Sequence, residues 1–225
     1  MTGLFIQVRL DSSRLPRKAV LDLGGRTVIE HVMTALKPVD ADVFALLTDE
    51  FSSSVLEPLA EGCGYKVFSG DKEDVLKRYA DAALFYGVDT VIRATGDNPL
   101  LSGLMTQRIL EIHKEADADF SCFVGLPLGT GVEVDKTSAL LYAAENAVDP
   151  YEREHVNPYL YRREDKFKIN KVPAPGEYSL DARVTLDTEE DYRYLSSLFA
   201  DLYRGAPVEI DTLVPYLRKN MRENR

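Results

Sequence analysis

Apolar and polar positions alternate regularly through the first half of the chain. Short apolar runs bounded by turn residues predict buried strands, and these lie at residues 4–8, 42–47, 65–68 and 90–94. Apolar residues at helical spacing between them predict helices at residues 27–36, 54–62, 71–86 and 103–115. Thr27 and Glu30 are predicted to form a capping box at the start of the first helix, and Gly87 to end the helix at 71–86. Strands that alternate with helices indicate a mostly parallel sheet with helices on both faces, an α/β fold.

The second half of the chain is less regular. Strands are predicted at residues 120–123, 132–134, 167–172 and 183–186. Helices are predicted at residues 137–146, at 150–161 with an interruption at Pro158, at 188–199 and at 211–220, before a polar, frayed tail over 218–225. Because no repeat, low-complexity tract or linker interrupts the pattern, we predict a single domain over residues 1–225.

The amino-acid composition argues against several classes of binding partner. The 27 basic and 37 acidic residues give a formal charge of −10, which argues against a general nucleic-acid or anionic-membrane surface. The two cysteines, Cys63 and Cys122, form neither a disulfide framework nor a zinc spacing, so a reducing cytoplasm is expected. Because no apolar run reaches the ~18–20 residues of a membrane span, we expect a soluble cytoplasmic protein.

A cluster of basic residues follows the first predicted strand. Within ten residues the loop contains three arginines and one lysine, interleaved with serines and a proline: Arg9, Ser12, Ser13, Arg14, Pro16, Arg17 and Lys18. Guanidinium groups pair with phosphate oxygens, and serine hydroxyls and backbone N–H groups supply further donors. A cationic loop in an acidic chain indicates a polyphosphate site, and a solvated basic turn is the alternative interpretation.

Two aspartates are predicted to lie at the same edge of the sheet as the basic loop. Asp97 follows the strand at 90–94, and Asp187 follows the strand at 183–186. Ligands of open α/β sheets bind outside the carboxyl ends of the strands, and Mg²⁺ takes one or two carboxylates together with phosphates and water. The pattern therefore predicts a site for Mg²⁺ and a nucleoside triphosphate. An Asx-turn at Asp97 and a pre-helix position for Asp187 are the alternatives.

Other polar residues have structural alternatives of their own. His155 suits an acid, a base or a sugar contact, and an isolated histidine is more often structural. Arg93 is expected to form a structural ion pair. Asp74 and Arg78 lie four residues apart on one predicted helix face, which is typical of a surface pair.

Several motifs argue against other functions. Two D-x-D motifs, at 40–42 and 117–119, are typical of metal-dependent glycosyltransferases, but both precede their strands and so lie at the wrong edge of the sheet. His31 and His113 lie in amphipathic helices and are predicted to be structural. The sequence contains no G-x-G-x-x-G, P-loop or G-x-S-x-G motif, so dinucleotide, P-loop and hydrolase functions lack support.

Five segments together resemble a known family. They occur in the expected order over residues 4 to about 200, at 9–18 (RLDSSRLPRK), 74–79 (DVLKRY), 93–100 (RATGDNPL), 152–159 (EREHVNPY) and 184–191 (VTLDTEED). This set resembles the cytidylyltransferases that activate sugar acids, and within them the spore coat polysaccharide biosynthesis protein F branch. The resemblance implies a three-layer, Rossmann-like nucleotide-diphospho-sugar transferase fold. It also implies a reaction in which CTP and a sugar acid give a CMP-sugar and pyrophosphate.

The resemblance also implies roles for particular residues. Arg9, Ser13, Arg14 and Lys18 would hold the triphosphate, Arg78 would lie near the nucleotide, and Asp97 and Asp187 would bind Mg²⁺. Arg14, Lys18 and Asp97 would act in catalysis. Residues 131–159 would cover the sugar, with Glu133, Arg153, His155 and Tyr159 as its contacts. Residues 120–175 would form a sugar-binding and dimerisation subregion of a homodimer.

Two positions depart from the family pattern. Members of the family usually have glycine where Asp11 stands, and often where Arg17 stands. Glycine allows the backbone to approach phosphate closely, whereas a carboxylate at Asp11 would repel phosphate unless it is turned away or bound to Mg²⁺. Two other functions stay open: a glycosyltransferase of related fold that uses an activated sugar, and, because of Asp11, a non-catalytic nucleotide-binding subunit.

Overall fold

One seven-stranded sheet forms the centre of the computed structural model, which describes residues 1–223. Its strands are β1 (Thr2–Gln7), β4 (Val43–Thr48), β5 (Lys66–Ser69), β6 (Thr90–Thr95), β7 (Phe120–Val124), β8 (Glu133–Lys136) and β9 (Ile169–Pro173). Their spatial order is β5-β4-β1-β6-β8-β7-β9. A separate hairpin pairs β2 (Asp22–Leu23) with β3 (Arg26–Thr27).

The sheet is mostly parallel, as the alternating pattern predicts. Strand β1 pairs in parallel with β4 and β6, β4 pairs in parallel with β5, and β7 pairs in parallel with β9. Strand β8 is antiparallel to both β6 and β7. Because β8 runs in the opposite direction, its first residue, Glu133, lies opposite Arg93 near the end of β6. This strand therefore brings an acidic side chain towards the edge at which β1 and β6 end.

Helices cover both faces of the sheet. They are α1 (Val28–Leu36), α2 (Glu50–Gly62), α3 (Val75–Tyr86), α4 (Gly103–Ala116), α5 (Thr137–Asn146), α6 (Pro150–His155), α7 (Pro158–Tyr161), α8 (Glu189–Leu202) and α9 (Ile210–Glu223). Side chains of a strand alternate between faces, so Leu4 and Ile6 pack against Ile29 of α1, while Phe5 packs against Tyr79 of α3. The predicted three-layer α/β architecture is confirmed.

Helix boundaries follow the side chains that cap them. The capping box predicted at Thr27 is confirmed, because Thr27 Oγ1 accepts from the N–H of Glu30 while the Glu30 carboxylate accepts from the N–H of Thr27. Two predicted starts are wrong. Helix α2 begins at Glu50 rather than at 54, because the Asp49 side chain caps it. Helix α3 begins at Val75 rather than at 71, because Asp74 is its N-cap.

The strand predicted at residues 183–186 is not part of the sheet. Only an isolated bridge joins Leu128 to Arg183, whereas Val184 and Leu186 are buried in a third hydrophobic cluster with α8 and α9. The period-two burial therefore arises from packing against helices rather than from strand pairing. Asp187 follows this extended segment. The sequence pattern placed Asp187 at the edge of the sheet because of a strand that the sheet does not contain.

The C-terminal helix is longer than predicted. It continues as α9 to Glu223, beyond the predicted end at 220 and through most of the predicted frayed tail. Residues 224 and 225 of that tail lie outside the described residues. Within residues 1–223, no helix has the length and apolar character needed to cross a membrane.

One strained residue gives a test of the basic loop. Arg17 has φ 56° and ψ 25°, a left-handed conformation that costs a residue with a Cβ roughly 1–2 kcal/mol. Glycine adopts it freely but has more entropy to lose on folding, roughly 0.5–1 kcal/mol. We expect Arg17→Gly to leave the free energy of unfolding unchanged or raise it by about 1 kcal/mol in urea titrations. A large loss of stability would contradict this account of the loop.

Candidate active site

A cleft of about 270 Å³ opens at the edge where β1 and β6 end. Eight of the residues predicted from sequence line it: Arg9, Ser13, Arg14, Lys18, Arg78, Asp97, His155 and Asp187. The loop after β1 supplies the first four, and the turn after β6 supplies Asp97. The structure therefore brings the predicted phosphate loop, both predicted metal ligands and His155 into one cavity.

Lys18 is at the centre of the charged groups of the cleft. Its Nζ atom lies 2.5 Å from Asp97 Oδ2 and 2.9 Å from Asp187 Oδ1. It also donates to the carbonyl oxygen of Leu186 at 2.8 Å. Because the Lys18 side chain is only 11% exposed, these contacts are shielded from water and hold the ammonium firmly between the two carboxylates.

Asp187 contacts two arginines as well as Lys18. Its Oδ1 accepts from Arg14 at 3.0 Å, and its Oδ2 accepts from Arg183 at 2.8 Å. Burial raises the pKa of this carboxyl, but the hydrogen bond and charge of Lys18 and the charge of Arg14 outweigh that effect. The net result is a pKa below the ordinary value of 3.8, so Asp187 is an anion at neutral pH.

The two carboxylates fit a Mg²⁺ site that phosphates complete. Asp97 and Asp187 already converge on one cation, the Lys18 ammonium. No group of three or more His, Cys, Asp or Glu side chains suited to a metal occurs among the described residues. Mg²⁺ commonly binds through one or two carboxylates with substrate phosphates and water, so this donor set suits a metal that arrives with a triphosphate.

Glycine at position 96 determines where Asp97 lies. A Cβ atom at Gly96 would approach Val8 Cβ at 2.8 Å and Ile29 Cδ1 at 2.9 Å. Because real Cβ atoms do not come so close to buried carbons, a larger residue here would displace the turn after β6. The glycine therefore lets the turn pack directly on the loop after β1, which brings Asp97 to Lys18.

Arg78 is buried, contrary to the prediction of a surface pair with Asp74. Its side chain is 2% exposed and donates to the carbonyl oxygen of Asp71 at 2.6 Å. Burial lowers the pKa of this guanidinium. Asp74 instead caps α3 and pairs with Arg153 at 2.6 Å. Arg78 therefore joins the segment before α3 to the cleft that it lines.

Asp11 does not line the cleft. Its carboxylate contacts Lys72 at 2.6 Å and Arg9 at 3.7 Å, and Arg9 also lies 3.7 Å from Glu154. The hydrogen bond from Lys72 is the main cause of a lowered pKa at Asp11. The carboxylate that departs from the family pattern is thus held by two cations, Lys72 and Arg9.

This arrangement makes Lys72 a residue whose loss should affect nucleotide binding. In Lys72→Ala the Asp11 carboxylate loses its nearest cation, so more of its charge acts on a bound triphosphate. We expect the KM for the nucleoside triphosphate to rise several-fold with kcat nearly unchanged, and Asp11→Asn in the same chain to restore it. Steady-state kinetics at two salt concentrations measures this. A KM that stays raised in the double variant would contradict the explanation.

Three of the residues proposed to contact the sugar are engaged elsewhere. Glu133 pairs with Arg93 and accepts from Asn157, so the structural ion pair predicted for Arg93 is confirmed. Arg153 pairs with Asp74, and Tyr159 is buried in the core. The structure therefore does not bring these three into the cleft with His155.

A strained turn follows His155. Val156 has φ 70° and ψ −75°, and the N–H of Asn157 donates to the carbonyl oxygen of His155 at 2.9 Å. This is a classic γ-turn, which is rare and strained. The Asn157 amide donates to Glu133 at 2.9 Å and to the buried Asp135 at 3.2 Å. The turn thus fixes His155 in the cleft and Asn157 in a buried polar cluster below it.

Asp135 gives a pH-dependent prediction. Burial, and next the charge of Glu133, raise its pKa well above 3.8. Folding therefore keeps a proton on Asp135 that the unfolded chain releases, so its contribution to stability is full below pH 3.8 and is lost as the pH rises through the raised value. We expect Asp135→Asn to gain stability relative to the wild type as the pH rises above 3.8, by up to about 1.4 kcal/mol per pH unit until the raised pKa is passed. Urea titrations across this range measure it, and a constant difference would contradict it.

Residues predicted to be structural are confirmed as such. His31 Nε2 lies 2.7 Å from the carbonyl oxygen of Leu23, and His113 Nδ1 lies 2.9 Å from Ser121 Oγ. Burial lowers the pKa of His113 to about 4. The aspartates that end the two D-x-D motifs accept backbone N–H groups where β4 and β7 begin: Asp42 from Thr2, and Asp119 from Lys168. They lie away from the cleft, as predicted.

Sequence reasoning missed several residues of the cleft and its surroundings. Gln7, Thr95 and Glu154 line it, and Arg183 contacts Asp187 from outside. Thr95 and Glu154 lie inside the recognised segments at 93–100 and 152–159, and this is the signal that could have identified them. Arg183 stands one residue before the segment at 184–191 and carried no such signal.

The fold and the cleft together define a class. A mostly parallel, Rossmann-like sheet with a cationic loop after its first strand and two carboxylates at the same edge is the arrangement of a nucleotidyltransferase. A sequence model of the cytidylyltransferase family matches residues 4–208. The chain therefore belongs to the cytidylyltransferase family and is an enzyme of the nucleotidyltransferase class.

Relatives and solved structures agree with this assignment. An uncharacterized protein of Methanocaldococcus jannaschii is 33% identical over 96% of this chain and 89% of its own length. The spore coat polysaccharide biosynthesis protein SpsF of Bacillus subtilis is 26% identical over 96% of this chain and 93% of its own length. The structure of a cytidylyltransferase from Leptospira borgpetersenii superposes with a TM-score of 0.88 at 29% identity, covering 98% of this chain and 95% of that one. The fold predicted from the sequence is therefore confirmed.

Proposed function

We propose that this protein is a Mg²⁺-dependent cytidylyltransferase that joins CTP to a sugar acid in polysaccharide biosynthesis and releases pyrophosphate. The observation that supports the proposal most directly is the convergence of Asp97 and Asp187 on one cation beside the loop after β1. The similarity to a spore coat polysaccharide biosynthesis protein supports the pathway.

In the proposed reaction, a sugar hydroxyl attacks the α-phosphorus of CTP in line with the departing pyrophosphate. The new bond joins the sugar oxygen to phosphorus, the bond from the α-phosphorus to the oxygen that bridges it to the β-phosphorus breaks, and the hydroxyl proton passes to water. Arg14 and Lys18 offset charge on the pyrophosphate, while Arg9 and Ser13 hold the triphosphate. Mg²⁺ would supply further charge neutralisation from Asp97 and Asp187. Reactions of this kind need mainly positioning and charge stabilisation, so they do not require a covalent nucleophile from the protein.

The acceptor sugar is proposed to bind on the side of the cleft where His155 lies, within the subregion of residues 120–175. His155 lines the cleft and stacks on Tyr151, with ring centroids 4.3 Å apart. This position suits a contact to a sugar hydroxyl. A homodimer is proposed from the family resemblance alone, and light scattering of the purified protein tests it.

A pyrophosphate-release assay tests the proposed function. Each nucleoside triphosphate is combined with each member of a panel of sugar acids, with neutral sugars as controls and with or without Mg²⁺. We expect release only with CTP, a sugar acid and Mg²⁺ together. Transfer from a nucleotide-sugar without pyrophosphate would instead indicate a glycosyltransferase. Mg²⁺-dependent CTP binding in calorimetry with no product from any acceptor would indicate a nucleotide-binding subunit.

A further inference from the structure

The ammonium group of Lys18 has the surroundings of a bound metal ion. Three oxygens lie around Nζ: Asp97 Oδ2 at 2.5 Å, Asp187 Oδ1 at 2.9 Å and the carbonyl of Leu186 at 2.8 Å. The ammonium donates hydrogen bonds to Asp187 and to the carbonyl of Leu186, and Asp97 is its further ion-pair partner. The position that the two carboxylates would offer to Mg²⁺ is therefore filled by a cation of the protein itself.

The charges around this position are balanced. Three cationic side chains, those of Arg14, Lys18 and Arg183, contact the carboxylates of Asp97, Asp187 and Asp191. Three positive and three negative charges leave no net negative charge to attract a divalent cation. A metal that entered this cluster alone would also have to displace the ammonium and leave it buried without acceptors, which is costly.

From this arrangement we propose that Lys18 keeps metal out of the nucleotide-free site, and that the triphosphate admits metal by drawing the ammonium away. The inference rests on the proposed function, because it assumes that a triphosphate binds at the loop after β1. The exchange makes metal and nucleotide bind cooperatively: each raises the affinity for the other by the same factor.

The elements around Lys18 allow this movement. Lys18 begins a short 3-10 turn over Lys18–Val20, and its four-carbon side chain can swing between two anionic groups without moving the backbone. Arg14, the other cation on Asp187 from this loop, is 65% exposed and free to turn towards phosphate. When both leave, Asp187 Oδ1 loses both of its side-chain donors and becomes available to a metal.

Lys18→Met tests the exchange, because it removes the ammonium and keeps an unbranched side chain that is one heavy atom shorter. Mn²⁺ binding is measured by electron paramagnetic resonance of free Mn²⁺, without nucleotide and with CTP in the absence of acceptor. We expect Lys18→Met to bind Mn²⁺ at least tenfold more tightly than the wild type without nucleotide. CTP should then improve its Mn²⁺ affinity less than it improves that of the wild type.

Two controls locate the effect. The double variant Lys18→Met with Asp97→Asn should lose the gain in Mn²⁺ affinity. Lys37 contacts the carbonyl of Gly64 far from the cleft, so Lys37→Met should bind Mn²⁺ like the wild type. Circular dichroism and thermal unfolding check that each variant folds. If Lys18→Met does not fold, the Mn²⁺ affinity of the wild type tests the proposal on its own. Tight binding of Mn²⁺ by the wild type without CTP overturns the proposal.

The outcomes also separate this proposal from the proposed function. Equal Mn²⁺ affinity of Lys18→Met and the wild type overturns the exchange, even if the wild type releases pyrophosphate from CTP. A gain in Mn²⁺ affinity in Lys18→Met, with no pyrophosphate released by the wild type under any condition, supports the exchange and refutes the cytidylyltransferase proposal.

Discussion

Asp97→Asn should reduce the turnover of CTP roughly a hundred- to a thousandfold, the cost typical of removing one group that stabilises transition-state charge. Among the described residues, Asp97 forms its one ion pair with Lys18. Asparagine keeps the shape of the aspartate side chain and one of its two oxygen acceptors. Its side chain is 32% exposed, so the free energy of unfolding should fall by only about 1 kcal/mol. Pyrophosphate release and urea titrations measure the two quantities.

Asp40→Asn is a matched control for this prediction. Asp40 precedes β4 at the opposite edge of the sheet, where its backbone N–H donates to Gln107, and its carboxylate does not line the cleft. We expect this variant to turn over CTP like the wild type. Pyrophosphate release near the wild-type rate from Asp97→Asn would refute the metal-binding role of Asp97.

Arg14→Ala should lower turnover roughly a hundredfold, because the departing pyrophosphate then lacks one of its two cationic partners. Arg14 is exposed and contacts only Asp187 among the described side chains. The substitution should therefore leave the fold intact, which circular dichroism checks. Steady-state kinetics with varied CTP separates the loss in kcat from any change in KM.

Arg17→Ala is the control from the same loop. Arg17 does not line the cleft and has the left-handed backbone described above. Because both variants remove one positive charge, a general electrostatic effect on CTP binding would lower their activities equally. We expect Arg17→Ala to stay within a few-fold of the wild type. Equal losses in the two variants would contradict a specific role for Arg14.

The sequence predicted the elements whose signals are local. The Thr27–Glu30 capping box, helix α5 at Thr137–Asn146 and the C-cap at Gly87 follow from neighbouring residues alone, and all are confirmed. The start of α3 is predicted wrongly because two aspartates, Asp71 and Asp74, compete to cap it. Asp71 forms a turn that accepts the N–H groups of Glu73 and Asp74, and α3 begins only after it.

The pattern of apolar and polar residues does not show which segments, distant in sequence, contact each other in the fold. Alternating burial at Val184 and Leu186 looks the same whether a strand or a helix pair covers them, so the segment at 183–186 was assigned to the sheet. The partners of Arg78 and Arg153 were missed for a similar reason. Arg153 reaches Asp74 across 79 positions of sequence, and only the fold brings them together. The candidate site was predicted better because its loop and Asp97 follow β1 and β6, which the topology places at one edge, whereas Asp187 reaches that edge from an extended segment outside the sheet.

The most direct test of the whole account is a crystal structure with CTP and Mn²⁺, in which anomalous scattering locates the metal. We predict one Mn²⁺ coordinated by both Asp97 and Asp187 and by triphosphate oxygens, with the Lys18 ammonium displaced onto the phosphates. A metal bound elsewhere, or a Lys18 ammonium that still lies between the two carboxylates beside bound nucleotide, would contradict it.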